Sequence, residues 1–210
     1  MESYSMFETI MTATDNYIDY SLYDMNGDTI VDSTELIVTV IAAGHEESPY
    51  RDFAEKAVSG VQIQEPYYVE IDGMFMNSYL ITGELMAQYE GDESMATIGV
   101  VVHEFGHSLR LPDLYDTDYS SEGLVFHALM ASGSNVYSYE YDAGEYPSPM
   151  IAWSRIYTKM VNPQTVSQPG IYTLYGNDQE YNILKVETSD PKVYYLLENK
   201  LKELKVGRDK

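Results

Sequence analysis

The pentapeptide His103-Glu104-Phe105-Gly106-His107 spells H-E-x-x-H. On a helix, residues four apart share a face, so both imidazoles can reach one Zn²⁺. Glu104 stands beside them, where its carboxylate can hold and deprotonate a water at that ion. A catalytic zinc takes three protein ligands and leaves one position open. Asp113, past the end of the helix in Leu109-Arg110-Leu111-Pro112-Asp113, is the obvious third ligand. Two histidines and a glutamate on a face otherwise built from Val, Ile and Phe would be costly to bury without a partner. A metal supplies that partner.

A second ion-binding pattern lies upstream. Asp24-Met25-Asn26-Gly27-Asp28-Thr29-Ile30-Val31-Asp32-Ser33-Thr34-Glu35 matches the EF-hand loop D-x-[DN]-x-[DN]-G-x₅-E at its side-chain ligand positions. Asp24, Asn26, Asp28, Asp32 and Glu35 would offer side-chain oxygens to Ca²⁺, and Ile30 its backbone carbonyl. Thr29 stands where Gly is usual, at a sharp turn that favours it. The alternative is an acidic turn on an acidic protein.

The composition suits both ions. The net charge is −22 and the pI about 4.2. With no basic patch to release counterions, nucleic acid and anionic membranes are excluded as natural partners. The chain has no Cys, so disulfides, thiolate metal sites and cysteine nucleophiles are excluded too. A 44% hydrophobic content argues against disorder. No apolar run approaches the roughly 18 residues of a membrane span, so no membrane insertion is expected. The start, Met1-Glu2-Ser3-Tyr4, lacks signal-peptide features; the chain is either cytosolic or lacks its leader.

The elements that must position these residues follow from periodicity. A helix is expected over 3–20, with Met6, Ile10, Ala13 and Tyr17 on one face. Leu36–Gly44 reads as a strand buried on both faces. A short helix is expected at Tyr50–Val58, and His45 reads as a loop residue. Tyr67–Ile71 and Met74–Ile81 flank Asp72-Gly73 as a hairpin with a type I′ turn. An extended substrate could add to a sheet edge near 74–82. The site helix is expected over 93–109, capped by Asp92 or Ser94, with Met95, Ile98, Val102, Phe105 and Leu109 as its apolar stripe. Residues 114–146 read as irregular, with His127 in a supporting or structural role. Ser148-Pro149 opens a helix through Met160, and Gly170–Tyr175, Tyr181–Glu187 and Val193–Glu198 read as strands. The tail Lys200–Lys210 reads as a frayed end.

The site fits the metzincin pattern H-E-x-x-H-x-x-G-x-x-H with a following Met-turn, except that Arg110 replaces Gly and Asp113 replaces the last His. Met130, in Leu129-Met130-Ala131-Ser132-Gly133-Ser134, is the candidate Met-turn. Its alternative is ordinary core filling, since the chain has 11 Met. His103–Asp116 (HEFGHSLRLPDLYD), Leu129–Ser134 (LMASGS), Pro147–Arg155 (PSPMIAWSR) and Tyr194–Lys200 (YYLLENK) together resemble the immune inhibitor A-type secreted metallopeptidases of bacteria and archaea. The loop at Asp24–Glu35, running into a strand that ends in Ala-Gly, resembles that family too.

The resemblance implies an α+β, metzincin-like zinc peptidase domain. Its twisted, mostly parallel sheet would carry an antiparallel edge strand and an active-site helix, followed by a small β-rich segment. Residues 1–160 would form the catalytic domain, with an upper subdomain to about 110 and a lower one over 111–160. Residues 161–210 would be a truncated β-rich extension. It implies an extracellular zinc endopeptidase acting on proteins or peptides, often with structural calcium. His103, His107 and Asp113 match its zinc ligands, Glu104 its general base and Met130 its Met-turn. Tyr137 is a candidate for stabilising the oxyanion, one of 21 Tyr. Arg110 stands where the family's Gly ends the helix and turns the chain toward the third ligand. The rival reading is a catalytically impaired, calcium-stabilised binding module. A second rival is an H-E-x-x-H metalloenzyme that is not a peptidase.

Overall fold

The computed structural model describes residues 2–45, 61–63, 68–87, 93–118, 120–176 and 181–200. The expected helix at Tyr50–Val58, the tail beyond Lys200 and the side chain of His45 lie outside the described residues. The chain divides into two compact units, Met1–Pro149 and Met150–Lys210.

The first unit opens with α1 (Glu2–Thr14). Its buried face is Phe7 and Met11, one turn apart and fully buried. Each such side chain contributes about 1.5–3 kcal/mol by leaving water. The expected face is therefore displaced, and Tyr17 is exposed. The helix stops at Thr14, whose hydroxyl bonds back to the carbonyls of Ile10 and Met11 and meets the Tyr20 hydroxyl at 2.7 Å. That contact turns the chain so that Tyr20 enters the core instead.

Among the described residues seven strands follow: β1 (Ile30–Val31), β2 (Val38–His45), β3 (Val61–Ile63), β4 (Val69–Ile71), β5 (Met74–Met76), β6 (Tyr79–Ala87) and β7 (Glu93–Met95). They form two small mixed sheets, in orders β1-β5-β4 and β2-β6-β3 with β7 on β6. β1 with β5 and β2 with β6 run parallel; β4 with β5, and β3 and β7 with β6, run antiparallel. The sheets are thus mixed rather than mostly parallel. The turn at Asp72 (φ 52°) and Gly73 (φ 74°) is left-handed at both central residues, as a type I′ hairpin requires. Asp72 also accepts the Tyr20 N–H at 2.8 Å. The core gathers Phe7, Met11, Tyr20, Val31, Met76 and Tyr79, with the Phe7 and Tyr79 rings stacked at 3.6 Å.

Two expectations about strands change. β2 alternates half-buried and exposed residues, and Ile41 is 66% exposed; among the described residues it pairs only with β6, so one face stays open. The segment 74–82 offers no free edge. β5 lies between β1 and β4, and β6 is flanked by β2 on one side and by β3 and β7 on the other, so among the described residues neither strand is an edge.

β7 leads directly into α2 (Ile98–Ser108), the site helix. The expected helix start at 93 is a strand that contains Ser94, and Asp92 lies outside the described residues. Thr97 holds the cap position, its hydroxyl donating instead to the Ala143 carbonyl. The expected apolar stripe faces outward: Met95, Ile98 and Phe105 are exposed, while Gly99, His103, Glu104, Gly106 and Ser108 are buried. Close backbone approach explains the inversion. A Cβ on Gly99 would lie 1.9 Å from the Ser134 carbonyl oxygen, and one on Gly106 would lie 2.3 Å from the Met130 sulfur. The inner face is reserved for small residues because other chain segments press against it.

Among the described residues no helix is long and apolar enough to cross a membrane. The second unit holds α3 (Ala152–Tyr157), β8 (Gln164–Val166), β9 (Leu184–Glu187) and β10 (Tyr194–Leu197). Helix α3 starts later than Ser148-Pro149, and Gly170–Tyr175 is not a strand. Glu198 accepts the Ala152 N–H at 3.0 Å and the Tyr181 hydroxyl at 2.6 Å, and Arg155 lies over the Tyr181 ring. The two sequence motifs around Arg155 and Glu198 thus cap and brace one short helix.

Candidate metal centre

The site starts from how α2 ends. Arg110 is left-handed, with φ 63°. Its N–H reaches the His107 carbonyl at 2.7 Å, and the Leu111 N–H reaches Gly106 at 3.1 Å. This is a Schellman cap with Arg where Gly is usual, and Leu111 is buried behind it. The turn therefore forms despite the substitution. Left-handed Arg costs about 1–2 kcal/mol, offset in part by a surface ion pair in which its guanidinium donates to Asp32 at 3.2 Å. Such exposed pairs contribute roughly 0–1 kcal/mol. Arg110→Gly is therefore expected to raise stability by about 0.5–1 kcal/mol in urea unfolding. A loss would mean that the Asp32 contact outweighs the strain.

The cap carries the chain back to the helix. Asp113 Oδ1 lies 3.2 Å from His103 Nε2 and 3.1 Å from His107 Nε2. The imidazoles are 5.0 Å apart between ring centres and nearly perpendicular, at 85°. Each ring is oriented from behind. His103 Nδ1 is 2.9 Å from the Leu129 carbonyl, and His107 Nδ1 is 2.8 Å from the Leu111 carbonyl. A carbonyl only accepts, so each Nδ1 carries a proton, and each ring in its neutral form then turns an Nε2 lone pair toward Asp113.

Two lone pairs thus face a carboxylate oxygen that is buried and has no hydrogen-bond donor. Acceptors confronting one another repel unless a cation lies between them. Tetrahedral zinc with bonds of about 2.0–2.2 Å separates its ligands by about 3.3 Å, close to the spacing found. The donor set fits Zn²⁺.

Glu104 is 8% exposed, and its carboxylate lies within 4.8 Å of the His103 and His107 ligand atoms. With no cation between them, a protonated imidazole donates to Asp113 through Nε2 instead; burial works to raise the pKa of Asp113, but such donation and the Tyr115 hydroxyl outweigh it and hold the carboxylate well below its usual range. Burial likewise opposes the His107 cation, yet Asp113, the Leu111 carbonyl and Glu104 outweigh it and raise His107.

Met130 is fully buried beneath α2, against Gly106. Its own carbonyl accepts the Leu114 N–H at 2.6 Å, so one segment supports the helix, His103 through Leu129, and the Asp113 loop. Tyr137 is two-thirds exposed, its ring edge-on to Phe126; its described contacts are not with the histidines. His127 is exposed in a 3₁₀ turn, Val125–His127.

Sequence reasoning missed Tyr115. Its ring lies parallel to the His103 imidazole, 14° off at 6.3 Å, and its hydroxyl bonds Asp113. It sits on a loop, where no periodicity marks which residue turns inward. The carbonyls of Leu111 and Leu129 were equally invisible, because any residue has one.

In the Asp24–Glu35 loop, Thr29 is left-handed at φ 68°. Asp24 accepts the N–H groups of Gly27, Asp28 and Thr29, and Glu35 those of Met25 and Asn26. Asp32 accepts from Thr34 and from Arg110.

Similarity to known proteins extends over this region. Residues 10–161 match the family described as immune inhibitor A peptidase M6, catalytic domain. The chain is similar to Immune inhibitor A of Bacillus thuringiensis subsp. alesti, 35% identical over 81 residues, which are 37% of this chain and 10% of that protein. It is also similar to the pre-pro-metalloprotease PrtV of Vibrio cholerae serotype O1 (strain M66-2), 49% identical over 41 residues, 19% of this chain and 4% of that protein. The aligned stretches are thus small parts of much longer relatives. With the family match covering His103 through Met130 and most of the chain, this protein belongs to the immune inhibitor A peptidase M6 family.

Proposed function

We propose that this chain is the catalytic region of a secreted zinc-dependent endopeptidase of metzincin-like fold, hydrolysing peptide bonds of protein substrates. The observation that carries the reading is the approach of Asp113 Oδ1 to within 3.2 Å of His103 Nε2 and 3.1 Å of His107 Nε2, with that buried oxygen otherwise unsatisfied. When bound there, zinc supplies Lewis acidity toward a carbonyl oxygen and a water. His103, His107 and Asp113 hold the ion, and the Leu129 and Leu111 carbonyls fix the tautomers. Glu104 takes the proton from the attacking water and returns it to the leaving amine. Met130 keeps the floor of the site rigid. Tyr137 remains a candidate oxyanion donor. A substrate strand must find an edge other than β5 or β6.

We assign the Asp24–Glu35 loop a structural Ca²⁺. The complete ligand pattern and the left-handed Thr29 support this, and the Arg110 guanidinium on Asp32 opposes it, because it already neutralises one ligand. Secretion rests on the family resemblance. So far as the rival, a calcium-stabilised binding module, rests on Arg110, the formed helix cap and the position of Asp113 weigh against it.

Chelation tests the reading. Purified protein is expected to carry about one Zn²⁺ per chain. EDTA should abolish cleavage of a denatured protein, and zinc alone should restore it. Protein that binds no zinc would sink the reading; zinc binding without cleavage would leave the binding module in its place.

A further inference from the structure

The structure assigns Tyr115 a role nothing else gives it. We propose that Tyr115 is the positioning residue of the metal centre, its hydroxyl fixing the Asp113 carboxylate and its ring fixing the plane of His103. The inference rests on the zinc reading above.

The geometry on both sides of Tyr115 supports it. The ring is 14° from parallel with the His103 imidazole, an offset arrangement that aromatic pairs favour. Asp113 has one oxygen facing the histidines without a donor, so that oxygen alone cannot hold the carboxylate's orientation. The Tyr115 hydroxyl supplies a hydrogen bond. The backbone carrying the ring is clamped on either side. Leu114 donates to Met130 at 2.6 Å and accepts from Leu124 at 3.2 Å. The Asp116 carboxylate takes the N–H groups of Asp118 and Ser121 and the Ser120 hydroxyl. Gly123, left-handed at φ 57°, packs so closely that a Cβ would lie 2.9 Å from the Asp116 nitrogen. The tyrosine is therefore delivered on a rigid arch rather than a loose loop.

The outer side of the ring has a second consequence. Tyr115 helps line a cavity of about 470 Å³ with Thr117, Ser121, Val125 and Ser132. The residue thus borders this cavity as well as His103 and Asp113. A side chain there that shifted would loosen Asp113 and His103 together. Supporting residues of this kind change metal affinity by about 10–100-fold.

The test separates the hydroxyl from the ring. Zinc affinity is measured by competition with a chromophoric chelator for the wild type, Tyr115→Phe, Tyr115→Ala and the surface control Tyr139→Phe. Tyr115→Phe should bind zinc about 10–100-fold more weakly, with the melting temperature of the chelator-treated protein unchanged. Tyr115→Ala should bind more weakly still, and Tyr139→Phe like the wild type. A merely structural role would lower the melting temperature without the zinc in play. Tyr115→Phe binding within twofold of the wild type overturns the proposal while leaving the zinc reading intact. Wild-type protein that binds no zinc overturns both.

Discussion

Glu104→Gln should lower cleavage of a denatured protein substrate by about 10²–10⁴-fold, the usual contribution of a general base, and keep about one zinc per chain. Glu104 and the two histidines share one turn of α2, with ligand atoms within 4.8 Å of one another. His103 and His107 are oriented by Leu129 and Leu111, neither of which involves Glu104. Gln keeps the size and hydrogen-bonding reach of the side chain but cannot accept the water's proton. Metal content by mass spectrometry and initial rates on the same preparation give the two readouts. Activity within tenfold of the wild type would remove Glu104 from the mechanism. Loss of the zinc would mean that it acts as a ligand instead.

Asp113→Ala should do the reverse, emptying the site while sparing the fold. Its Oδ1 lies 3.2 and 3.1 Å from the two Nε2 atoms, so on the proposed reading it acts as the third ligand more than as a brace. Loss of a ligand should weaken zinc by more than the roughly 10–100-fold that a supporting residue costs. Thermal unfolding reads this directly. Zinc at a hundred times its dissociation constant stabilises a folded protein by about 2.7 kcal/mol. The zinc concentration giving that gain should move up by more than a hundredfold in the variant. An unchanged midpoint would show that two histidines suffice and that Asp113 is not the third ligand.

How far the site was legible from sequence depended on the kind of signal. Spacing that encodes one helical turn placed His103, Glu104 and His107 together, because the geometry of a single helix is local. The Asp72-Gly73 turn was legible for the same reason; both residues adopt positive φ, which a two-residue hairpin demands. The Arg110 departure was legible as a strained position, and the structure locates it at φ 63°. Whether the turn survived the strain could not be read, since the Schellman bonds and the burial of Leu111 offset the cost together.

Helix faces went wrong where packing overrode hydrophobicity. The periodic stripe of α2 pointed to Ile98 and Phe105, yet the side facing the protein carries Gly99, His103 and Gly106. Periodicity counts apolar side chains; it does not see a carbonyl at Ser134 or a sulfur at Met130 arriving within contact of the helix backbone. The same limit displaced the face of α1 and hid the pairing of β6 on both sides.

The chain's own sequence determined the chemistry available: two imidazoles and a carboxylate one helical turn apart, a third carboxylate beyond a tight turn, an acidic loop, and no thiol. Tertiary structure alone decided which lone pairs face the gap, because the partners of Nδ1 are backbone carbonyls with no signature in residue type. It also decided that Tyr115, a residue to which no motif assigns a role, stands over His103. Long-range contacts such as these are set by how loops close on one another, and that closure is a property of the folded chain rather than of any stretch within it.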